Sequence, residues 1–464
     1  MSHPRRLAAG LAAGLLSLAG SRPPQPERPP NIVVIVADDM GYADLGVQGS
    51  KDIPTPNIDA LAEAGIRFTD AYVSGPYCSP TRAGLMTGRY PERFGHEFNF
   101  GVQPGIGLPL DQPTLADRLK AAGYRTALFG KWHLGADEAH HPLNRGFEEF
   151  FGFLGGAHSY FETAATAPIA IYEGRTPVSV HAYLTDTLAA RAADFIHREH
   201  ARPFFLYLAF NAVHTPMHAT DRYLARFAQV SDTMRRTYAA MLSAMDDGVG
   251  RAVEALRAEG LEGNTLIFFF SDNGGPTMPG TTINGSSNAP LRGSKRQTWE
   301  GGIRVPFIVS WKGHLPAGKL DHRPIIQLDV LPTALAAAGA KLPSDWPLDG
   351  VNLLPYLRGA QAGPPHQALY WRLGDNLAIR QGDWKLVKTS EGLLRGADPD
   401  SSKTLVGAQL FNLTDDIGEQ HDLAAAHPEK LRELATAWLG WNGQLARPLW
   451  GPGSDRGGGG PVPR

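Results

Sequence analysis

The chain alternates short, continuously apolar runs with longer segments whose apolar positions have helical spacing. The apolar runs indicate strands buried on both faces of a sheet, and they are NIVVIV (31–36), RTALFG (125–130), PFFLYLAFN (203–211), NTLIFFF (264–270) and VPFIVSW (305–311). The segments between them predict helices at about 56–64, 114–123, 183–199 and 233–258. This alternation predicts an α/β fold with a mostly parallel sheet between helices.

The pattern changes after residue 360. ALYWRL (368–373), LAIRQGDWKLVKT (377–389) and AQLFNLTDD (408–416) indicate short antiparallel strands with Gly-Asp turns, and a helix follows at about 428–438. A chain of 464 residues rarely forms a single core. We therefore predict a large domain over residues 31–360 and a small α+β domain over residues 361–450.

The two ends of the chain lack this patterning. Residues 1–21 combine a basic start with a short apolar stretch and small residues, which is typical of a cleaved signal peptide. A Pro-rich spacer (22–30) follows, and a Gly/Pro-rich tail (451–464) is predicted to be disordered. We expect export to the periplasm or the medium, with no membrane attachment after cleavage; retention as a signal anchor is the alternative.

Composition narrows the class of protein. Hydrophobic residues make up 42% of the chain and charged residues 19%, as in a globular protein. The net charge of −2 gives no long-range attraction to nucleic acid or to a membrane, so a polyanion would have to be bound by a local pocket. One cysteine excludes an internal disulfide, which is unusual for an exported chain.

Polar side chains follow four of the predicted strands directly. They are Asp38 and Asp39, then Lys131 to His133, then Asn211 to His214, and finally Asp272 and Asn273. Ligands of open α/β sheets bind outside the carboxyl ends of the strands, so these groups are predicted to share one crevice. Three aspartates there would repel one another without a cation, and oxygen ligands favour Ca²⁺ or Mg²⁺.

The sole cysteine lies in GPYCSPTRAGLMTGRY (75–90). Ser79 is predicted to cap a helix that ends at Gly88, which places Cys78 beside the helix N-terminus. Arg82 adds a positive charge one turn into the helix. This setting favours an anion and predicts a reactive sulfur rather than an inert one.

Further basic residues would surround the predicted cation. Lys131, Lys295 and two histidines join Arg82, and such a set suits a phosphate or sulfate group. By contrast, the pair Asp246 and Asp247 lies within the long helix at 233–258 and is expected to be solvated helix surface.

These segments together resemble type I, formylglycine-dependent sulfatases. The matching stretches occur in the order expected for the family, and they are ADDMGYADLG (37–46), C-x-P-x-R at 78–82 followed by AGLMTGR, GKWHLG (130–135), NAVHTPMH (211–218), FFSDNGG (269–275) and LRGSKRQTWEGGIRVPF (291–307). The resemblance covers roughly residues 31–312 and implies an alkaline-phosphatase-like catalytic domain with a small C-terminal domain. Several motifs in order are far more specific than one short pattern.

The resemblance also implies a mechanism. A formylglycine-generating enzyme would oxidise Cys78 to formylglycine, whose hydrate attacks sulfur to give a sulfate-ester intermediate that later expels sulfate. One Ca²⁺ per chain is implied, and its implied ligands are Asp38, Asp39, Cys78, Asp272 and Asn273. The implied catalytic groups are Cys78, which becomes the hydrate, and Arg82 and Lys131, which hold and activate it. His133 is the implied base, and His214 and Lys295 are implied to bind sulfate and assist the leaving oxygen. His158, in GGAHSYF (155–161), is a candidate substrate contact.

The expected substrate is a sulfated saccharide. The motifs resemble those of sulfatases that act on N-acetylgalactosamine 4- or 6-sulfate of chondroitin-type glycans. Two alternatives stay open. One is a phosphonate or phosphodiester hydrolase of the same superfamily; a two-metal phosphatase is less favoured because no second set of metal ligands is evident. The other is a non-catalytic protein that binds sulfated glycans, if Cys78 remains a thiol.

Overall fold

The structure is a computed structural model that describes residues 28–161, 163–167, 169–342, 346–390 and 405–452, together with residues 1 and 454. The predicted signal peptide (1–21) apart from its first residue, most of the predicted spacer (22–30) and most of the predicted tail (451–464) lie outside the described residues. None of the helices formed by the described part of the chain combines the length and the apolar character needed to cross a membrane.

The strands of the described residues form three sheets. They are β1 (Asn31–Ala37), β2 (Ile66–Phe68), β3 (Ala71–Tyr72), β4 (Arg125–Lys131), β5 (Glu149–Phe153), β6 (Ile171–Glu173), β7 (Thr176–Val178), β8 (Phe204–Ala209), β9 (Thr265–Ser271), β10 (Phe307–Ser310), β11 (Lys319–Asp321), β12 (Ile325–Ile326), β13 (Leu369–Leu373), β14 (Asn376–Gln381), β15 (Trp384–Lys388) and β16 (Gln409–Asn412). The largest sheet has the order β11-β2-β10-β9-β1-β8-β4-β5-β6-β7, and β12 pairs with β3.

The α-helices of the described residues connect these strands. They are α1 (Pro56–Glu63), α2 (Cys78–Thr87), α3 (Leu115–Ala121), α4 (Leu184–Glu199), α5 (Asp221–Leu224), α6 (Thr233–Ala258), α7 (Glu300–Ile303), α8 (Val330–Ala337), α9 (Leu354–Leu357) and α10 (Pro428–Asn442). Local signals set several ends. Thr114 caps α3 in a capping box, Asp232 caps α6, and Gly88 ends α2 with a left-handed φ of 67°.

The large sheet is covered on both faces, as predicted. Successive residues of β1 point to opposite sides: Val33 and Ile35 belong to the core shared with α4 and α6, whereas Ile32 and Val34 belong to the core shared with α2, α3 and α8. The central strands β9, β1, β8, β4 and β5 are mutually parallel. VPFIVSW differs from the prediction, because β10 pairs antiparallel with both β9 and β2.

The small sheet is antiparallel in the order β13-β14-β15-β16 and packs against α10. Trp371, Trp438 and Trp441 of this unit share one core with Tyr72 and Trp299 of the large unit. The fold class predicted from the sequence is therefore confirmed as a large mixed sheet between helices plus a small antiparallel sheet with a helix. The domain boundary at 360/361 stays a prediction.

Two local predictions are wrong. The residue that caps α2 is Tyr77, not Ser79, so Cys78 is the first residue of the helix. Asp246 is not solvated: it is buried, and its carboxylate accepts from the amides of Asn57 (3.1 Å) and Ile58 (2.8 Å) at the start of α1. It supplies the cap that α1 lacks from its own sequence, since Thr55 makes no side-chain cap.

Candidate active site

The parallel centre of the large sheet brings the polar strand ends together. Because Ala37 of β1 is level with Ser271 of β9, Asp38 and Asp272 follow adjacent strands at the same height. Lys131 ends β4, on the other side of β8. The side chains of Asp38, Asp39, Lys131, Asp272 and Asn273 are fully buried, so their charges interact in a low-dielectric environment.

Asp38 and Asp272 are bound by basic residues from two different elements. The Nζ of Lys131 lies 2.6 Å from Asp38 Oδ2, and Arg82 Nη2 lies 2.8 Å from Asp272 Oδ2. Burial alone would raise the pKa of Asp38, but Lys131, His214 and Arg82 hold it below its ordinary value. Burial, together with the charge of Asp38, raises the pKa of Asp272 to about 6 despite Arg82.

Lys295 and Asn273 both contact Asp39. The Nζ of Lys295 lies 2.6 Å from Asp39 Oδ1 and 2.8 Å from Oδ2, and the amide of Asn273 donates to Oδ1 at 2.7 Å. Burial would lower the pKa of Lys295, but the carboxylate of Asp39 raises it above its ordinary value. Asp39 itself has a φ of 65°, a left-handed conformation that is uncommon for a residue other than glycine.

Cys78 lies beside this cluster and is 1% exposed. Its Sγ is 3.7 Å from Asp38 Oδ1. Burial raises the pKa of the Cys78 thiol to about 12, and Lys131 and Lys295 only partly offset this effect. The unmodified thiol is therefore held neutral, and the expectation of a reactive sulfur is wrong for the unmodified side chain.

The described residues fit a bound cation. Ligand atoms of Asp38, Asp39, Cys78 and His214 all lie within 4.8 Å of one another, and Asn273 Oδ1 is buried without a hydrogen-bond partner. The Nδ1 of His214 lies 2.6 Å from the carbonyl oxygen of Thr215, which can only accept, so the neutral ring turns the Nε2 lone pair towards Asp39 Oδ2, 3.5 Å away. Two facing acceptors need a proton or a cation between them.

Asp272 departs from the predicted ligand geometry. It does not belong to the group of ligand atoms within 4.8 Å, because its Oδ2 accepts from Arg82 and its Oδ1 accepts from the amide of Asp39. His214, predicted to bind sulfate, lies in that group instead. The ligand roles of these residues stay predictions.

His133 is oriented by backbone and hydroxyl groups. Its Nε2 lies 3.1 Å from the carbonyl oxygen of Phe100, so Nε2 carries the proton and donates, while the buried Nδ1 has no partner. The hydroxyl of Ser79 donates to the carbonyl of His133 at 2.7 Å and lies 2.6 Å from His96 Nε2. Burial, with Lys131 nearby, lowers the pKa of His133 well below its ordinary value, which leaves a neutral imidazole with a free lone pair.

His158 lies outside this contact network. Its Nδ1 is 2.7 Å from the carbonyl of Ser159 and its Nε2 is 3.1 Å from the carbonyl of Ile169, so both ring nitrogens are engaged within the same loop region. The ring lines an open cavity of about 520 Å³ together with Thr163, Ala167 and Pro216. A substrate contact by His158 stays a prediction, and such a contact would have to use the ring carbons or displace a carbonyl.

Sequence reasoning missed several residues that support the site. Phe100 acts through its backbone carbonyl, which leaves no mark on the residue type, and Ser79 was assigned to a cap. Tyr207, whose hydroxyl accepts from Arg82 Nη1 at 3.3 Å, lies in the middle of an apolar strand and looks like core. The one signal in the sequence is that Tyr207 is the only side chain of β8 with a polar atom.

Known proteins resemble this chain over most of its length. The sulfatase family matches residues 30–340. N-acetylgalactosamine-6-sulfatase of Sus scrofa is 35% identical over 90% of this chain and 86% of its own length, and human arylsulfatase A is 35% identical over 94% of this chain and 90% of its own length. The crystal structure of Ps i-CgsB in complex with k-i-k-neocarrahexaose is 38% identical, with a TM-score of 0.83 over 91% of this chain and 95% of that chain.

Proposed function

The chain belongs to the sulfatase family, and from that premise we propose that it removes O-sulfate from a sulfated saccharide with a formylglycine at position 78 as the covalent catalyst. The observation that carries this proposal is the setting of its one cysteine. Cys78 starts a helix, its Sγ lies 3.7 Å from Asp38 Oδ1, and Lys131, Lys295 and Arg82 all contact the acids around it. A formylglycine would supply a hydrated aldehyde, whose hydroxyl is the nucleophile.

A divalent cation fits the acids, and we propose one Ca²⁺ held by Asp38, Asp39, position 78, Asp272 and Asn273. The partnerless oxygen of Asn273 supports this assignment, as does the preference of Ca²⁺ for carboxylate and amide oxygens. Such an ion would supply positive charge where the sulfuryl oxygens gather negative charge. Arg82 stays bound to Asp272 and so keeps a fixed charge at the site.

The remaining side chains divide the work of charge and proton transfer. The ammonium group of Lys131 contacts Asp38, where it can stabilise the oxygen attached to residue 78 as negative charge develops on it. Lys295 and His214 both reach Asp39, and the ammonium group of Lys295 can bind sulfate oxygens on that side. His214 can bind the same oxygens and protonate the leaving oxygen once its Nε2 has taken up a proton. His133 keeps a lone pair on Nδ1, because Phe100 fixes the proton on Nε2, and it can act as the base that releases sulfate.

The relatives support a sulfated saccharide as substrate. One relative is named for N-acetylgalactosamine 6-sulfate, and the structural neighbour was solved with a neocarrahexaose. We propose N-acetylgalactosamine 4- or 6-sulfate of chondroitin-type glycans as the first substrates to test, with sulfated carrahexaose as the comparison. A role in glycosaminoglycan degradation follows if the first set is preferred.

Maturation and location are part of the same proposal. Conversion of Cys78 requires a formylglycine-generating enzyme as a partner, and the amino-terminal pattern of residues 1–21 supports export to the periplasm or the medium. N-terminal sequencing of the mature protein would test export: a first residue near 22 is expected, whereas a retained Met1 contradicts it.

The decisive experiment is the mass of the peptide that carries Cys78, taken from protein made in its native host. A loss of about 18 Da, the difference between CH₂SH and CHO, is expected. The same preparation should release inorganic sulfate from the saccharides, should lose this activity on chelation and should regain it with Ca²⁺. A fully unmodified thiol contradicts the covalent mechanism and leaves a sulfated-glycan-binding protein as the alternative. Hydrolysis of a phosphonate ester or a phosphodiester, without hydrolysis of any sulfate ester, would indicate the other hydrolase class.

A further inference from the structure

Lys295 comes from a loop, residues 291–299, and a loop must be held if it is to place a charged group accurately. We call this segment the lysine loop. The short helix α7, which follows this loop directly, packs closely on the strand end at Gly274, where a Cβ atom would lie 1.8 Å from the carbonyl oxygen of Gly301. The amide of Gly274 also donates to the carbonyl of Gly302 at 3.0 Å.

Arg296, the residue after Lys295, has a left-handed backbone. Its φ is 74°, a backbone conformation that costs free energy for any residue other than glycine. Such a conformation persists only when the surrounding structure enforces it. The amide of Arg296 donates to the carbonyl of Pro76 at 2.7 Å, and its guanidinium donates to the hydroxyl of Tyr77. These two contacts tie the lysine loop to the residues just before Cys78.

A third contact comes from the small sheet. The Nδ2 of Asn376, the first residue of β14, donates to the carbonyl of Arg296 at 3.0 Å. Asn376 is 1% exposed, and its Oδ1 accepts from the amide of Ser390 at 2.7 Å and from the hydroxyl of Thr389 at 3.0 Å. Because those two groups are donors, the amide of Asn376 can only turn its NH₂ group towards Arg296.

A second anchor lies at the end of the lysine loop. Thr298 donates to the carbonyl of Leu377 at 3.1 Å, and the amide of Glu300 donates to Glu419 Oε2 at 2.7 Å. The buried Nζ of Lys385 lies 2.8 Å from a carboxylate oxygen of Glu300 and 2.8 Å from one of Glu419. The lysine loop is thus fastened to the small sheet at Arg296 and at Thr298, and Glu300, just beyond the loop, is held by Glu419.

We propose that the small sheet positions Lys295, with Asn376 as a positioning residue that acts through the backbone of Arg296. This inference rests on the proposed function, in which Lys295 binds the sulfate group. Without the third contact, the strained backbone at Arg296 can relax and carry the Nζ of Lys295 away from its place. The small sheet therefore contributes to sulfate binding without touching the sulfate.

The test compares two substitutions that remove hydrogen bonds on opposite sides of the Asn376 amide. Asn376→Asp keeps the acceptor for Thr389 and Ser390 but replaces the donor to Arg296 by a carboxylate oxygen. Thr389→Val removes one of the hydrogen bonds to Oδ1, on the other side of the amide, and leaves the donor to Arg296 in place, so it serves as the matched control. The measurements are the inhibition constant of inorganic sulfate, KM and kcat for a sulfate ester, and the thermal midpoint.

Asn376→Asp is expected to raise the inhibition constant of sulfate and the KM about tenfold, because a shifted Lys295 loses one charge-assisted hydrogen bond to the sulfate group. Thr389→Val is expected to leave both within about twofold. In a Lys295→Ala background, Asn376→Asp should add almost nothing, because its effect passes through Lys295. If the aspartate prevents folding, Asn376→Ala gives the same comparison without the added charge.

Two outcomes overturn the positioning role alone. One is an unchanged inhibition constant in Asn376→Asp, and the other is an equally large effect with Lys295 and without it, which would indicate a general loss of structure. A wild-type protein that neither releases nor is inhibited by sulfate would overturn the proposed function first and this inference with it. The wild-type measurement therefore distinguishes the two failures.

Discussion

Two buried clusters of charge among the described residues contain the same number of acidic and basic side chains. The active-site cluster contains three carboxylates and three basic side chains, which are Asp38, Asp39, Asp272, Arg82, Lys131 and Lys295. The second cluster, which we call the clasp, joins the large unit to the small sheet and also contains three of each, which are Asp70, Glu300, Glu419, Arg304, Arg380 and Lys385.

The clusters differ in which of their polar atoms lack a partner. In the clasp, Arg380 bonds both Asp70 and Tyr72, and Glu419 Oε1, which has no hydrogen bond, lies 2.8 Å from the ammonium group of Lys385. In the active site, Asn273 Oδ1 and His133 Nδ1 have no hydrogen bond, and neither atom belongs to a charged group that is ion-paired. Buried charge alone therefore does not identify a binding site; what distinguishes these two clusters is the pair of neutral acceptors in the active site, which are satisfied only when something else binds.

Removing Cys78 should give the largest effect and should separate the clusters by function. Cys78→Ala is expected to lower kcat by about a thousandfold or more, because in the proposed mechanism it removes the group that is converted into the covalent catalyst. Its thermal midpoint should stay close to that of the wild type. Sulfate release and calorimetry test both expectations; a variant that keeps wild-type turnover would contradict the role of this residue.

Lys385→Met should have the opposite effect: a large loss of stability and a smaller change in kcat. Removing one partner from a buried ion pair leaves uncompensated carboxylates, and we expect the free energy of unfolding to fall by about 3–5 kcal/mol. Denaturant titration measures this change. Lys388→Met, a partly exposed position on the same strand, is the control and should change stability by about 0.5 kcal/mol or less. Equal losses in the two variants would show that the clasp is not a stabilising element.

The clasp should also make stability depend on pH. Burial raises the pKa of Glu419 from 4.5 to about 7; Glu300 adds to this shift and Lys385 opposes it. Between pH 4.5 and 7 the folded chain keeps a proton that the unfolded chain releases, so this group lowers stability as pH rises through that window, by at most about 1.4 kcal/mol per pH unit. Glu419→Gln should reduce the slope of the free energy of unfolding against pH across this range, as measured by denaturant titrations. An unchanged slope would show that a different group titrates.

The smallest expected effect concerns a buried carboxylate that belongs to neither cluster. Asp246 accepts only from N–H groups at the start of α1, so Asp246→Ala should cost about 1–2 kcal/mol, the range of a lost helix cap. The neighbouring Asp247 pairs with Arg226 at the surface, and Asp247→Ala should cost about 0.5 kcal/mol or less. Similar values for the two variants would mean that Asp246 does not stabilise α1.

The sequence predicted what depends on local pattern. The helices at 56–64, 114–123, 183–199 and 233–258 and the central strands agree with the structure to within a few residues, because period and capping residues act within a few positions. The strand ends Asp38, Asp39, Lys131 and Asp272 were predicted to meet, and they do so because parallel strands deliver their ends to one edge.

What the sequence could not predict depends on distant partners. Apolar runs look alike in parallel and antiparallel strands, so the direction of β10 was missed. Asp246 finds its partners at Asn57 and Ile58, almost two hundred residues earlier in the chain. Lys385 follows Trp384 in an alternating strand and looks solvated, but its side chain is fully buried against Glu300.

The contacts of Arg82 bear on how the chain avoids misfolding. Its guanidinium touches Asp272 after β9, the carbonyl of Lys131 at the end of β4 and the hydroxyl of Tyr207 in β8, and it lies 3.7 Å from Asp38 after β1. A sheet assembled with one of these strands out of register would trap a guanidinium without its partners, at a cost of several kcal/mol. The contacts of this one side chain thus make a sheet with a shifted strand less stable than the native sheet.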